Sequence, residues 1–225
     1  IRLLEELDLK LVKVVDTRVH AGHSTAMGAL RDRTNCVTVM GEQSPVDVVS
    51  MRVSDGERVT IEGIDLTAMH TPGHTDDSYC FRMDDRVFTG DTLLIRGTGR
   101  TDFQNGDAGQ QYDSLFDGVL KLPESTLVYP AHDYKGDMVS TIGEERANNP
   151  RLQVGSRAEY IELMAGLNLP NPKMMDVAVP ENIRMGLNLD RQREVATVTP
   201  ESIIMDNAEG MLLVDLREEG ERLKS

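Results

Sequence analysis

Residues 17–23 read Thr17-Arg18-Val19-His20-Ala21-Gly22-His23, and they follow an apolar, β-branched run, Leu9–Val15, that ends at Asp16. The composition and alternation of that run predict a strand. Open α/β sheets place ligands beyond the carboxyl ends of their strands, so a histidine-rich turn in this position is well placed for chemistry. This turn is therefore the first part of a candidate site.

Three further turns combine small residues with a histidine or an aspartate. They are Thr71-Pro72-Gly73-His74-Thr75, Thr89-Gly90-Asp91-Thr92 and Tyr129-Pro130-Ala131-His132-Asp133. The segments 87–89 and 126–129, which precede the last two, read as short strands, and Arg58–Met69 alternates as a half-buried strand does. We expect the turns to meet at one edge of a layered α/β structure.

The donor types in these turns indicate a particular kind of metal site. Two imidazoles and one carboxylate, from His20, His74 and Asp91, match the facial triad that holds Fe(II) and leaves coordination positions open. A single histidine is more often a packing or surface residue, and we expect that of His70. His23 and His132 are expected to line the cavity around the iron and to exchange hydrogen bonds there.

Composition restricts the function classes. The chain has 225 residues, enough for one large domain or one domain and a fragment, and a formal net charge of -14 that argues against a nucleic-acid partner. Its two cysteines form no CxxC motif, which favours a reducing compartment and a cytoplasmic, bacterial protein. No apolar run approaches the roughly 18 residues that a membrane span needs.

The ordered set of turns resembles the metallo-β-lactamase superfamily over about residues 1–190, and within it the persulfide dioxygenases. The segments that carry the closer resemblance are Gly90–Arg96, Gly99–Asp107, Tyr129–Tyr134, Gly143–Arg146, Asn149–Leu152, Leu167–Pro170 and Ala178–Asn182. The resemblance implies an αββα sandwich whose N-terminal strands are missing, because the chain begins at Ile1.

The resemblance also implies an activity. Enzymes of this family oxidise glutathione persulfide with O₂ to sulfite and glutathione, and they use one Fe(II) per chain. The positions that match its iron ligands are taken to be His20, His74 and Asp91. The positions that match glutathione-holding residues are Tyr134 and Arg151, since an arginine makes bidentate contacts to carboxylates.

Arg100 and Asp102 are further candidates for the glutathione site. An internal ion pair that braces the loop after Asp91 is the preferred interpretation of these two residues. For Arg151, a surface ion pair is the alternative.

The metal-binding loop departs from the superfamily pattern His-x-His-x-Asp-His, because Arg18 replaces the first histidine and Gly22 the aspartate. In a two-metal hydrolase this removes one ligand from each metal, which disfavours a thioester hydrolase resembling glyoxalase II. In a one-iron enzyme the two positions would surround the ligands and affect rate and metal retention. A further alternative is a weakened or non-catalytic member of the family that scaffolds a sulfurtransferase. Arg18 as a surface residue and Gly22 as a turn glycine with positive φ are simpler alternatives.

Beyond the expected dioxygenase domain, residues 1–190, the pattern changes. Residues 168–186 contain prolines and are expected to be extended. Residues 191–225 resemble a linker and the opening of a rhodanese domain, which implies a fused or associated sulfurtransferase, with an ordinary C-terminal strand as the alternative. A homo-oligomer is expected.

Overall fold

The apolar runs of the sequence form two β-sheets in the structure, a computed structural model that describes residues 1–170 and 175–184. The first sheet is parallel, in the order β1 (Lys13–Val15), β2 (Val37–Gly41) and β3 (Met51–Val53). Its middle strand is almost entirely buried, as is usual where a parallel sheet is covered on both faces. The carboxyl end of β1 leads directly into the Thr17–His23 turn.

The second sheet has six strands in sequential order. They are β4 (Arg58–Ile61), β5 (Ile64–His70), β6 (Tyr79–Arg82), β7 (Arg86–Gly90), β8 (Leu127–Pro130) and β9 (Ser140–Thr141). All neighbours are antiparallel except β7 and β8. The expectation of one strand over Arg58–Met69 was wrong, because Glu62 and Gly63, both with positive φ, turn the chain into a hairpin.

Six α-helices lie within the described residues. They are α1 (Arg2–Glu6), α2 (Met27–Thr34), α3 (Ala108–Asp113), α4 (Ile142–Asn148), α5 (Arg157–Ala165) and α6 (Met175–Arg184). A π-helical turn, Ser114–Gly118, and a 3₁₀ turn, Val119–Lys121, continue α3, and Pro150–Leu152 forms a 3₁₀ turn after α4. Asp107, Thr141 and Ser156 cap α3, α4 and α5 by accepting a backbone N–H three residues ahead.

Helix α6 contradicts the expectation that residues 168–186 are extended. Pro180 lies inside it, although proline is costly in a helix interior. Tertiary contacts outweigh that cost, since Val179 and Ile183 pack against a buried cluster that includes Val19 and Met27.

Three clusters of buried side chains define four layers. Val39 and Val53 of the first sheet pack against Val59 and Phe81 of the second, so the sheets lie face to face. The outer face of the second sheet packs against α3, its continuation and α5, and the outer face of the first sheet against α2 and α6. The expected αββα sandwich is confirmed.

Among the described residues, no helix is both long and apolar enough to cross a lipid bilayer. The expected rhodanese opening, residues 191–225, lies outside the part of the chain that the structure describes.

Candidate metal centre

His20 is held in place by the aspartate that ends the first strand. Its Nε2 lies 3.1 Å from Asp16 Oδ1, which also fixes the tautomer, because only a protonated Nε2 donates to a carboxylate. The side chain is buried, and its Nδ1 has no hydrogen-bond partner among the described residues. A lone pair on Nδ1 is therefore available to a ligand.

His74 has the same arrangement with the two ring nitrogens exchanged. Its Nδ1 donates to the carbonyl oxygen of Arg100 at 2.6 Å, while the buried Nε2 has no partner in the described structure. Burial, together with the charge of Arg18, lowers the pKa of His74 to about 4, so the ring is neutral at pH 7. Its Nε2 lies 3.5 Å from Asp91 Oδ2.

Asp91 leaves the end of β7 through a left-handed turn at Gly90, and only 6% of its surface is exposed. Its Oδ1 accepts a hydrogen bond from His132 Nδ1 at 2.6 Å, and its Oδ2 accepts one from the Arg18 guanidinium. Burial acts to raise the pKa of Asp91, but the His132 hydrogen bond and the Arg18 charge outweigh it and hold the pKa well below its usual range.

Arg18 is not the surface residue of the simpler alternative, since it is only 5% exposed. Gly22 is not a turn glycine with positive φ either. A Cβ built on Gly22 would meet nothing within 4 Å, so the backbone does not require a glycine there. Both departures from the superfamily loop are therefore differences in side-chain chemistry at the site.

Three imidazoles form a row beside Asp91. The ring centroids of His20 and His23 lie 4.6 Å apart, and those of His23 and His132 lie 5.7 Å apart. The exposed Tyr134 ring is parallel to that of His132, with centroids 6.2 Å apart. These four side chains extend the site from the buried carboxylate toward solvent.

Gly99 is needed where its backbone approaches the Asp91 backbone and the His74 ring. A Cβ at this position would lie 2.3 Å from the Asp91 carbonyl oxygen and 2.7 Å from His74 Cγ, closer than real Cβ contacts come. The Gly99 N–H also donates to that same oxygen at 2.7 Å. The glycine therefore brings the Asp91 and His74 segments together.

The two arginines expected to hold glutathione already have partners within the protein. Arg151 is half-buried, and its guanidinium donates to the carbonyl and, at 3.3 Å, to the hydroxyl of Thr98. Arg100 forms a two-pronged ion pair with Asp102 at 2.5 Å for each contact and donates to Pro170 O at 2.6 Å. The ion pair of Arg100 and Asp102 fits the interpretation that these two residues brace the loop after Asp91.

Sequence reasoning missed three residues that hold the His20 loop. Asn182 of α6 donates to the carbonyls of His20 and His23, at 2.7 and 2.8 Å. Asp16 was noted only as the end of a strand, and Asp77 accepts from the Val19 N–H at 2.9 Å. A polar residue directly after a strand was a usable signal for Asp16. Asn182 ends one of the segments that carry the family resemblance, but no pattern along the chain places it beside the His20 loop.

The two histidines and the aspartate are suitable metal donors, but their side chains are not arranged as the ligands of one ion. Within residues 1–170 and 175–184, no three His, Cys, Asp or Glu side chains lie so that they could hold an ion together. His74 and Asp91 are brought together, whereas Arg18 contacts the Asp91 oxygen nearest His74 and His20 faces Asp16. The triad of His20, His74 and Asp91 stays a prediction.

Comparison with known proteins identifies the class. The sequence profile described as "Metallo-beta-lactamase superfamily" matches residues 6–132. The fold also matches a metallo-beta-lactamase structure from Staphylococcus aureus, with a TM-score of 0.75 at 20% identity over 82% of this chain and 61% of that one. The chain belongs to the metallo-β-lactamase superfamily.

The more similar relatives define the group within it. The mitochondrial persulfide dioxygenase ETHE1 of Mus musculus is 43% identical over 189 residues, which cover 83% of this chain and 74% of the relative, and that of Homo sapiens is 42% identical over the same shares. The crystal structure of ETHE1 from Myxococcus xanthus matches with a TM-score of 0.80 and 50% identity, covering 82% of each chain.

The chain is therefore an enzyme of the persulfide dioxygenase family, and persulfide oxidation is its activity. The predicted family, fold and type of reaction are confirmed. Fold and relatives together imply a metal cofactor.

Proposed function

We propose that this enzyme uses one Fe(II) per chain to oxidise glutathione persulfide with O₂, giving sulfite and glutathione. The observation that carries the proposal is the pairing of two buried imidazoles, each with one ring nitrogen fixed by an oxygen and the other without a partner in the described structure. Histidines that bind metals characteristically have their second nitrogen fixed in this way.

The proposed ligands are His20 through Nδ1, His74 through Nε2 and the Asp91 carboxylate. Two imidazoles and one carboxylate match the facial triad of non-haem iron oxygenases and differ from the closed four-ligand sets of structural zinc. Iron supplies the one-electron and dioxygen chemistry that protein side chains lack. The protein supplies ligand geometry: Asp16, the Arg100 carbonyl and His132 each orient one of the three donors.

The proposed substrate site lies on the solvent side of this centre. Glutathione carries two carboxylates, and Arg151 offers a cation for one of them. Tyr134 is 82% exposed and stacks on His132, so its ring and hydroxyl are available to the peptide. We assign Arg100 and Asp102 to bracing the loop and not to direct contact, because the two side chains already bind each other through two contacts.

His23 and His132 are proposed to hold the centre and its hydrogen bonds without binding the metal. His132 donates to Asp91 Oδ1 from the solvent side. His23 lies between His132 and His20 in the row of imidazoles.

Several broader assignments belong to the same proposal. We propose a cytoplasmic location in a bacterium; both cysteines are free and buried, which agrees with a reducing compartment. We also propose a homo-oligomer and a fused or associated rhodanese that exchanges persulfides with this enzyme. The sequence likeness of residues 191–225 is the support for the rhodanese.

Oxygen uptake tests the proposal directly. Iron-loaded protein is given glutathione persulfide in an oxygen-electrode cell, with metal content determined on the same sample. We expect uptake with sulfite formation in the wild-type protein, loss of uptake in His74→Ala, and retained uptake in the control His70→Ala, whose ring Nε2 lies 3.0 Å from the Asp76 carbonyl oxygen.

Two results would contradict the proposal. The first is one bound iron per chain with no oxygen uptake. The second is two bound metals per chain with hydrolysis of a glutathione thioester, which would identify a hydrolase of the glyoxalase II type.

A further inference from the structure

The Arg18 guanidinium makes the contact that a metal ion would be expected to make. It is buried and binds Asp91 Oδ2, the oxygen that lies 3.5 Å from His74 Nε2. The other oxygen of Asp91 is already used by His132. A carboxylate has two oxygens, so a cation bound by His74 Nε2 and by Asp91 Oδ2 would meet the guanidinium.

Charge makes the two occupants incompatible. A buried guanidinium and a divalent ion on the same carboxylate oxygen repel each other strongly, because the interior screens charges far less than water does. Without the guanidinium, Asp91 would be a buried carboxylate that keeps only its His132 hydrogen bond, which is unfavourable unless another cation arrives. Arg18 and the metal are thus alternative partners for one anion.

The hydrogen-bonding groups of Arg18 are also less completely paired than those of a purely structural residue. One of its guanidinium nitrogens donates to the Val19 carbonyl at 2.8 Å, and another donates to Asp91. Its buried Nε has no partner among the described residues. A purely structural ion pair at this depth is normally fully hydrogen-bonded.

We propose that Arg18 is a resident competitor for the metal: its guanidinium takes the cation position at Asp91 in the metal-free protein, and metal binds only by displacing it. The inference rests on the proposed metal site but not on the proposed reaction. It accounts for the position of the guanidinium on the Asp91 oxygen that lies 3.5 Å from His74 Nε2.

The test compares metal affinity in three proteins: the wild type, Arg18→Gln and Arg18→His. Arg18→Gln removes the positive charge and adds no imidazole, so any change in metal affinity reports the competition between the guanidinium and the metal for Asp91. Co(II) is titrated anaerobically into each metal-free protein and followed by its visible absorption, with the bound metal counted after gel filtration. Arg146→Gln is the control, since Arg146 is exposed and lies 3.4 Å from Glu124 on the surface.

We expect Arg18→Gln to bind Co(II) at least about tenfold more tightly than the wild type, the lower end of what changes around metal ligands produce. Arg18→His should bind more tightly still, and Arg146→Gln should match the wild type. Thermal unfolding gives a second readout. The metal-free Arg18→Gln protein should melt lower than the wild type, and Co(II) should raise its melting temperature by more.

The outcomes separate the inference from the reaction. Equal Co(II) affinity in the wild type and Arg18→Gln would overturn it, and so would tighter binding in Arg18→His alone, which would mean that only an added ligand matters. If Arg18→Gln did not fold, Arg18→Leu, which also removes the charge and adds no ligand, would replace it in the same comparison, and a Co(II) affinity equal to that of the wild type would overturn the inference. Tight metal binding by the variants without persulfide oxidation would leave the inference standing and remove the proposed reaction.

Discussion

Asn182 Nδ2 donates to the carbonyl oxygen of His20 at 2.7 Å across 162 residues of chain, and the same nitrogen donates to the His23 carbonyl at 2.8 Å. Its Oδ1 accepts the N–H of Thr25 at 2.8 Å. One buried amide from α6 therefore satisfies three backbone groups of the loop that carries His20 and His23. The loop conformation depends on a helix that lies far away in the sequence.

Replacing Asn182 by alanine should loosen this loop. Three backbone groups lose their partner, at a cost of about 1–3 kcal/mol for each that stays buried and unpaired. We expect a fall of about 2–4 kcal/mol in the free energy of unfolding, measured by urea denaturation, because part of the loop would become hydrated. Metal affinity, measured with Co(II), should fall with it.

Asn148→Ala is the matched control, because Asn148 is exposed at the end of α4. Its unfolding free energy should stay within about 0.5 kcal/mol of the wild type. If the two variants unfolded at the same urea concentration, α6 would have no part in holding the loop.

Gly99→Ala should disrupt the centre while leaving most of the fold intact. The new methyl group would lie 2.3 Å from the Asp91 carbonyl oxygen and 2.7 Å from the His74 ring, so one of those segments must move. Displacements of this size cost about 1–3 kcal/mol in a packed interior. We expect lost metal binding with an unchanged far-ultraviolet circular dichroism spectrum.

Gly63→Ala is the contrasting glycine variant, since a Cβ there would have open space and only the positive φ is strained. It should lose stability without losing metal. Normal metal content in Gly99→Ala would show that the close approach at Gly99 is not needed for the site.

The fold was predictable because its signals are local. The short strands at 87–89 and 126–129, the β-branched residues before Asp16 and the small residues around His74 are each signalled by residues within a few positions of one another. The helix in residues 175–184 was missed for the opposite reason. Pro180 argues locally against a helix, and the contacts that outweigh it come from Val19 and Met27 at the other end of the chain.

The candidate site was only partly predictable for the same reason. His74 and Asp91 could be paired from the turns that carry them, and they do lie together. The sequence also flagged Arg18 as an unusual residue in the metal-binding loop. That its guanidinium would bind Asp91 depends on the side-chain path through the interior, which no pattern along the chain records.

Glu145 should be a main determinant of stability. It is fully buried and accepts hydrogen bonds from the Arg96 N–H at 2.8 Å, Ser140 Oγ at 2.6 Å and Asn149 Nδ2 at 2.8 Å. Glu145→Ala leaves these donors without their acceptor and opens a cavity, so we expect a loss of about 3 kcal/mol or more in unfolding free energy. Urea denaturation measures it.

Glu144→Ala is the neighbouring control. Glu144 is exposed on the same helix and pairs with Arg96 at the surface, where such pairs contribute little. A loss in Glu144→Ala as large as that in Glu145→Ala would mean that the helix as a whole, and not the buried carboxylate, sets the effect.

Cys80 should be chemically inert in the native protein and should not carry sulfur during the reaction. Burial raises the pKa of its thiol to about 11, and the Sγ lies 3.3 Å from Thr71 Oγ1 in the interior. At pH 8 only about one thiol in a thousand is then the reactive thiolate, even before access is considered. We expect a thiol reagent such as dithiobisnitrobenzoate to leave Cys80 unlabelled at pH 8 for hours and to label it within minutes in 6 M guanidinium chloride. Cys80→Ser should retain persulfide oxidation; rapid native labelling at Cys80, located by peptide mass spectrometry, would show that this part of the core opens far more often than its packing implies.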